Sequence, residues 1–457
     1  MDTYQSNLVG LLGLSAVLFV AQRTLQDSSP SKKSPGTQSK AQIDKKPTVA
    51  AEASQWSFLT VYALAMGSDW LQGPFLYSLY RDEHNVAPST VSALFTTGFI
   101  SGAVSGYATG TLADKHGRKR ACQFFCIVYA LSCILTVAPG SGLPLLFAGR
   151  VLGGIGTSLL FSVFESWMVT DFHTRELGKR GANLSRTFGV MSTLNSAVAI
   201  ASGVSSEWMV DMAGTRKAPF VAAVVLLGVA LWVISTTWAE NYGAAGTAEK
   251  KNGERTLWEM LKDPRIVCLG LASTMFEGSM YLFVFFWGPA LASARQRTAA
   301  VSKPAVSTLG LPYGIIFATF MASVLAASLV FNLVMQKRLF KYTYLLIGIL
   351  GAADLVFYTL EQPHSEQLTF WLFCLFEACV GMYWPCMGYL KGQLIDDGSR
   401  AQLYGILRVP LNVFVVVSLY FTGDGDAYTQ AFSACSRLLL AAIGGLYAMA
   451  MNEEQVQ

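Results

Sequence analysis

Gly110-Thr-Leu-Ala-Asp-Lys-His-Gly-Arg-Lys-Arg120 is a short polar stretch between two apolar runs, near Val91–Gly110 and Ala121–Ala138. Each run has about the 20 residues a helix needs to cross hydrocarbon. The position of the stretch explains its residues. Gly110 allows a neighbouring helix to come close, Gly117 permits a tight turn, and Asp114 can pair with basic groups or with a helix N-terminus. Lys115, Arg118, Lys119 and Arg120 lie together at one end of the two runs. Basic residues accumulate on the cytoplasmic side of membrane spans, so the cluster assigns this loop to that side.

The same reading extends along the whole chain. Of its 457 residues, 53% are hydrophobic and 14% charged, against about 25% charged in soluble domains. Mean hydropathy is +0.42. Twelve apolar segments fall into two groups of six, near Trp56–Tyr80, Val91–Gly110, Ala121–Ala138, Leu143–Trp167, Thr187–Trp208 and Pro219–Trp238, then Ile266–Leu291, Leu311–Met335, Tyr342–Leu360, Leu368–Leu390, Leu403–Thr422 and Gln430–Met451. The expected organisation is all-α and polytopic: an N-terminal transmembrane anchor (1–22), a disordered cytoplasmic linker (23–55), a six-helix bundle (56–238), a central cytoplasmic loop (239–265), a second six-helix bundle (266–451) and a short tail (452–457). The first apolar run, Leu8–Ala21, is short for a span. It has no basic region before it and no small-residue cleavage site after it, so it reads as an anchor rather than a removed signal peptide.

Basic clusters on alternate loops fit this layout: Arg175 with Lys179–Arg180, Lys250–Lys251 with Arg255, Lys337–Arg338 with Lys341, and Lys391 with Arg400. The sequon at Asn183 then faces the cytoplasm and is expected to stay unglycosylated. The lipid bilayer is the partner that composition requires, and a net charge of +4 distributed in this way is no nucleic-acid signal. The eight cysteines show no zinc-ligand spacing and read as small buried hydrophobes. There is no P-loop, and no constellation of nucleophile, metal or cofactor residues suggests an enzyme.

An internal repeat is visible. Phe95 answers Phe317, 222 positions on, and Asp69 answers Glu277. Arg150 with Gly154 answers Glu377 with Gly381, and Leu194-Asn195 answers Leu411-Asn412. The offsets stay between 208 and 227, as expected of two homologous six-helix halves.

Charges inside the apolar segments are the candidate functional residues, because a charge in hydrocarbon costs roughly 2.5–3.5 kcal/mol on insertion scales. Counting core helices, Asp69 lies in the first, Arg150 and Glu165 in the fourth, Glu277 in the seventh, Glu377 in the tenth and Arg408 in the eleventh. Gly73-Pro74 weakens the helix near Asp69, and Pro385 the one near Glu377, and interrupted helices often mark substrate sites. Two readings of Arg150 stay open: a guanidinium fork for a tetrahedral oxyanion, or a structural or coupling partner of a carboxylate. Arg408 is a second oxyanion candidate against a snorkelling role at a helix end. Gln72, Asn195 and Asn412 could donate to substrate or bond between helices. Glu165 reads as a gate or salt-bridge residue. Asp354 and Arg437 read as structural.

The Gly110–Arg120 stretch resembles the signature loop of the major facilitator superfamily, G-x-L-a-D-r-x-G-r-k-x, at nearly every specified position. Asp69–Tyr77, Gly149–Gly154, Phe161–Trp167, Trp238–Gly243, Phe276–Tyr281, Phe376–Gly381 and Arg408–Phe414 resemble the eukaryotic molybdate-anion transporter family. The resemblance implies a major facilitator fold whose first, fourth, seventh and tenth helices line a central cavity, an oxyanion such as molybdate as substrate, and residence in the plasma membrane. It gives Asp114 the role of a latch released between transport states. Asp69, Glu277 and Glu377 would repel a dianion. They must therefore pair with Arg150 and Arg408 or be protonated when substrate binds, and the second case suggests proton symport with Glu277 and Glu377 as coupling groups. The rival readings keep the fold but change the cargo to a sugar, organic anion or cation, or make the protein a transporter-like sensor or scaffold.

Overall fold

The computed structural model describes residues 3–28, 49–138, 140, 142–243, 262–301, 310–336, 340–394, 410–418 and 427–456. Arg408 and the basic residues Lys250, Lys251, Arg255, Lys337, Arg338 and Arg400 lie outside them, as do residues 29–48 of the expected linker.

No strand occurs among the described residues. The helices are α1 (Thr3–Ser28), α2 (Val49–Gln72), α3 (Pro88–His116), α4 (Arg118–Val137), α5 (Leu143–Leu160), α6 (Val163–Thr174), α7 (Leu184–Ala213), α8 (Ala218–Thr237), α9 (Pro264–Val301), α10 (Tyr313–Gln336), α11 (Tyr342–Thr359), α12 (Glu366–Leu394), α13 (410–418) and α14 (Ala427–Val456). Among the described residues, ten stretches are long and apolar enough to cross a membrane, with α5 and α6 counting as one. The helix α2 has 24 residues and carries Glu52 and Asp69, and α3 has 29 and is rich in Ser, Thr and Gly. The chain is a multi-pass membrane protein.

Two compact units form. One comprises 27–84 with 97–247, and the other 1–26, 85–96 and 248–457. In the first, Phe58, Phe125, Phe164, Trp167 and Trp238 make an aromatic core, with the Trp167 and Trp238 rings stacked 3.7 Å apart. In the second, Phe276, Phe283, Phe320, Phe373 and Phe376 play that part. The α1 helix belongs to the second unit. Tyr4, Leu8 and Ser15 are its buried residues, at helical spacing. Tyr4 donates its hydroxyl to Glu366 at 2.6 Å and meets the Phe370 ring edge-on.

Several helix limits differ from the sequence expectation. The α1 helix runs past the apolar stretch at both ends, and α2 begins at Val49 inside the expected linker. It ends at Gln72, where Gly73-Pro74 opens a 3-10 turn and Leu79–Glu83 a π turn. The span Leu143–Trp167 is not one helix. It breaks at Phe161–Ser162 and resumes to Thr174. Thr157, Ser162 and Ser166 each donate to the carbonyl four residues back, and such back-bonding bends helices. Pro385, by contrast, does not stop α12.

The internal repeat extends to helix contacts. In the first unit a Cβ at Gly154 of α5 would strike the Gly98 carbonyl and the Gly102 amide of α3. In the second, a Cβ at Gly381 of α12 would strike the backbone of Val324 in α10. Gly381 stands 227 positions after Gly154, and Val324 stands 222 after Gly102. The same close approach is therefore made twice, as expected where small residues let membrane helices touch backbone to backbone.

Candidate functional site

Arg150 occupies a slot built from glycine. On α3, Gly98, Gly102 and Gly106 recur every four residues and face Arg150, Gly154 and Ser158 of α5. Where a residue at 98 would place its Cβ, the Arg150 Cζ lies 3.1 Å away. The guanidinium thus lies against α3 in the space Gly98 leaves. Asp69, Tyr80, Tyr129 and Cys133 are within electrostatic reach of it. Asp69 accepts the Tyr129 hydroxyl, and the Tyr129 ring covers Gly156. The structure therefore brings Arg150 and Asp69 together in one half-buried cluster, a cation with a nearby carboxylate and a phenol.

The neutral candidates of this unit are engaged in structure. Buried Gln72 donates to the Ser68 carbonyl at 3.1 Å and accepts from the Cys133 thiol at 3.8 Å. Asn195 accepts the Trp70 indole N–H at 2.9 Å and ties α7 to α2. Glu165 is exposed, near Tyr62, and makes no ion pair among the described residues. A cleft of about 720 Å³ runs between α2, α7 and α8, but its lining is almost wholly apolar and includes none of these candidates.

In the second unit Glu277 is 8% exposed and held on one oxygen. Ser273 donates to its Oε1 at 2.6 Å and Tyr383 at 2.8 Å, and the Lys391 ammonium stands 3.6 Å from the same atom. Lys391 also donates to Ser273 at 2.8 Å. Sequence reasoning placed Lys391 among the cytoplasmic loop cations. In the structure it is on α12 and turned inward, with its side chain 15% exposed. Tyr383 and Lys391 stand eight residues apart on one face of α12, a spacing that could have flagged them. Glu377 is buried one helix turn before Gly381, with no hydrogen bond or ion pair among the described residues. Asn412 is half-buried on α13, whose Phe414 ring fills the space above Gly278. Asp354 accepts the Ser436 hydroxyl at 2.6 Å, which fits its structural reading.

Asp114 pairs with Arg118 at 2.7 Å, and Arg118 continues to the Ser166 carbonyl at 2.8 Å and to the Thr170 hydroxyl. The loop is clamped inside its own unit. Gly117 has φ +108°, a conformation that strains any residue with a Cβ. Glu240 caps the first turn of α4, accepting from the backbone N–H of Lys119 at 2.8 Å and of Arg120 at 3.3 Å. The segment Trp238–Gly243 thus supplies the cap that Asp114 was a candidate to supply, while the Gly243 amide donates to the Asp114 carbonyl at 3.2 Å.

Comparison with known proteins gives a consistent result. Residues 32–364 match a family model described as sugar transporters with 12 transmembrane segments. A molybdate-anion transporter of Xenopus tropicalis is 30% identical over 98% of this chain and 95% of its own length. One from Xenopus laevis is 29% identical over 88% of each. Among solved structures, an auto-inhibited POT family peptide transporter aligns with a TM-score of 0.69 at 11% identity, covering 87% of this chain and 97% of its own. That last likeness speaks to the fold alone, the all-helical polytopic major facilitator fold expected from the sequence.

Proposed function

The chain belongs to the major facilitator superfamily and, within it, to the molybdate-anion transporter family, and on that premise we propose that it carries molybdate or a related oxyanion across a membrane by alternating access. The observation that supports this reading is Arg150, a guanidinium seated within a membrane helix in a slot that glycine leaves open. Such a fork offers two parallel donors to a tetrahedral oxyanion. Asp69 holds the charge in balance while the site is empty. Arg408 and Asn412 are further candidates for the substrate, and Gln72 and Asn195 support the helices that carry Asp69. The reading includes residence in the plasma membrane and a cytoplasmic face at the Asp114 loop.

Proton coupling is the companion hypothesis. An ionised carboxylate without a counter-charge is costly inside a membrane helix, and Glu377 is buried in that condition among the described residues. Protonation would remove its repulsion of an arriving dianion. Asp114, with Arg118, is the proposed latch, and Glu165 is a gate candidate by its exposure alone.

The test is molybdate uptake into liposomes holding the purified protein, read by mass spectrometry. Saturable uptake is expected, and its absence with folded protein sinks the reading. Uptake indifferent to a pH gradient at fixed voltage removes the proton hypothesis but leaves the cargo. Arg150→Lys keeps the charge but loses the planar fork, so the apparent KM should rise about tenfold, the effect of roughly 1.4 kcal/mol. Unchanged affinity with slower turnover would make Arg150 a coupling residue instead.

A further inference from the structure

The cluster around Glu277 has the form of an anion site whose place is taken by a carboxylate of the protein. Three donors on two helices converge on one oxygen: the Ser273 hydroxyl at 2.6 Å, the Tyr383 hydroxyl at 2.8 Å and the Lys391 ammonium at 3.6 Å, all on Glu277 Oε1. Ser273, Glu277 and Tyr383 are buried, and the Lys391 side chain is nearly so. Two hydroxyls and an ammonium, fixed in a dry interior, are what an oxyanion oxygen needs.

We propose that Ser273, Tyr383 and Lys391 form an oxyanion cradle in the second unit, and that Glu277 occupies it until a substrate oxygen displaces the carboxylate. The proposal rests on the oxyanion-transport reading and adds to it a second binding locus, on residues that the sequence offered as a coupling carboxylate or did not offer at all. The exchange has a mechanical result. Glu277 and Ser273 are on α9, and Tyr383 and Lys391 on α12. While Glu277 fills the cradle, the Lys391–Glu277 ion pair and two hydrogen bonds, Tyr383 to Glu277 and Lys391 to Ser273, bind the two helices to each other. When an oxyanion takes the cradle, the Glu277 side chain is released and the helices are joined through the substrate. A ligand shifts such an equilibrium only by its differential affinity for the two arrangements, and a dianion, carrying more charge to Lys391 than one carboxylate oxygen, has that preference.

The test is molybdate binding to the full-length protein in nanodiscs, read as Kd by calorimetry and as molybdate-induced shift in Tm, with chloride as the control. Glu277→Gln removes the competing charge and should tighten molybdate about tenfold, the size of one charge-assisted hydrogen bond, with a larger Tm shift than wild type. Lys391→Met should weaken binding by a similar factor, Lys391→Arg should restore part of it, and the double variant should behave as Lys391→Met. Unchanged or weaker binding in Glu277→Gln, or a gain that survives in the double variant, overturns the cradle. If Glu277→Gln does not yield monodisperse protein, the Lys391 pair decides: weakening with rescue by arginine supports the cradle, and unchanged affinity overturns it. A wild type with no saturable molybdate binding fails the transport reading instead, and the cradle is then judged on the same variants with sulfate, where tightening in Glu277→Gln supports it and its absence overturns it.

Discussion

In the first unit, the α5 position four residues before the tight contact holds Arg150, and across from it α3 presents Gly98. In the second unit, the corresponding position of α12 holds Glu377, and the residue 222 positions after Gly98 is Phe320. The backbone contact one turn further on is the same, Gly154 on Gly102 and Gly381 on Val324. The tyrosines differ in the same way. Tyr129 reaches Asp69 from α4 across the ring-sized space left by Gly156, whereas in the second unit Gly156 itself is replaced by Tyr383, which reaches Glu277 from α12. The two halves therefore keep the helix contact and the phenol-on-carboxylate bond but change which helix makes that bond and the sign of the charge beside it. A duplicated scaffold preserves what backbones need in order to touch, and leaves the side chains one turn away free to diverge.

The comparison can be broken at four points. The largest effect is expected where a slot in one unit is filled in the other. Phe320 is 1% exposed, so Phe320→Ala should cost about 3–5 kcal/mol of stability. Gly98→Ala, at the matching position, should leave the melting temperature nearly unchanged and weaken molybdate binding, since the three atoms nearest its Cβ all belong to the movable Arg150 side chain. Thermal unfolding in detergent with parallel binding assays separates the two outcomes, and equal stability losses would end the equivalence. Next come Gly154→Ala and Gly381→Ala. Each drives a methyl into backbone that cannot step aside, at about 1–3 kcal/mol. Similar losses are expected, and a neutral result at either site would show that the repeat does not hold at that contact. Glu240→Ala uncaps α4 and should cost about 1 kcal/mol, with no counterpart described in the second unit. The smallest change is Asn195→Ala, which removes the Trp70 indole's bond to α7 at about 0.5–1.5 kcal/mol.

Much of the fold was legible because hydrophobic length and basic-loop alternation are written residue by residue. The repeat was legible to the level of single contacts: an offset read from Phe95 and Phe317 leads from Gly102 to Val324. Asp114 with Arg118 was legible too, since four residues on a helix bring two side chains together. The carboxylate that caps α4 was not, because Glu240 is 121 positions from Lys119 in the chain and nothing local ties the two. Lys391 was missed for a related reason. A lysine near the end of an apolar run reads as a loop cation, and only the packing of α12 on α9 turns it toward Glu277. The break at Phe161 was hidden because Ser162 is compatible with a helix and bends it only through the carbonyl it bonds.

The attachment of α1 has a consequence for how the chain is made. Tyr4 and its acceptor Glu366 are 362 residues apart. At synthesis rates of about 5–20 residues per second, α1 leaves the ribosome roughly 20–70 s before its partner exists. During that interval α1 stands without this partner, and its outer face, with Val9, Val17, Phe19 and Val20 exposed, suits a span that waits in lipid. The docking of α1 through Tyr4 thus follows the synthesis of Glu366, and a chain stopped before Glu366 would lack that contact.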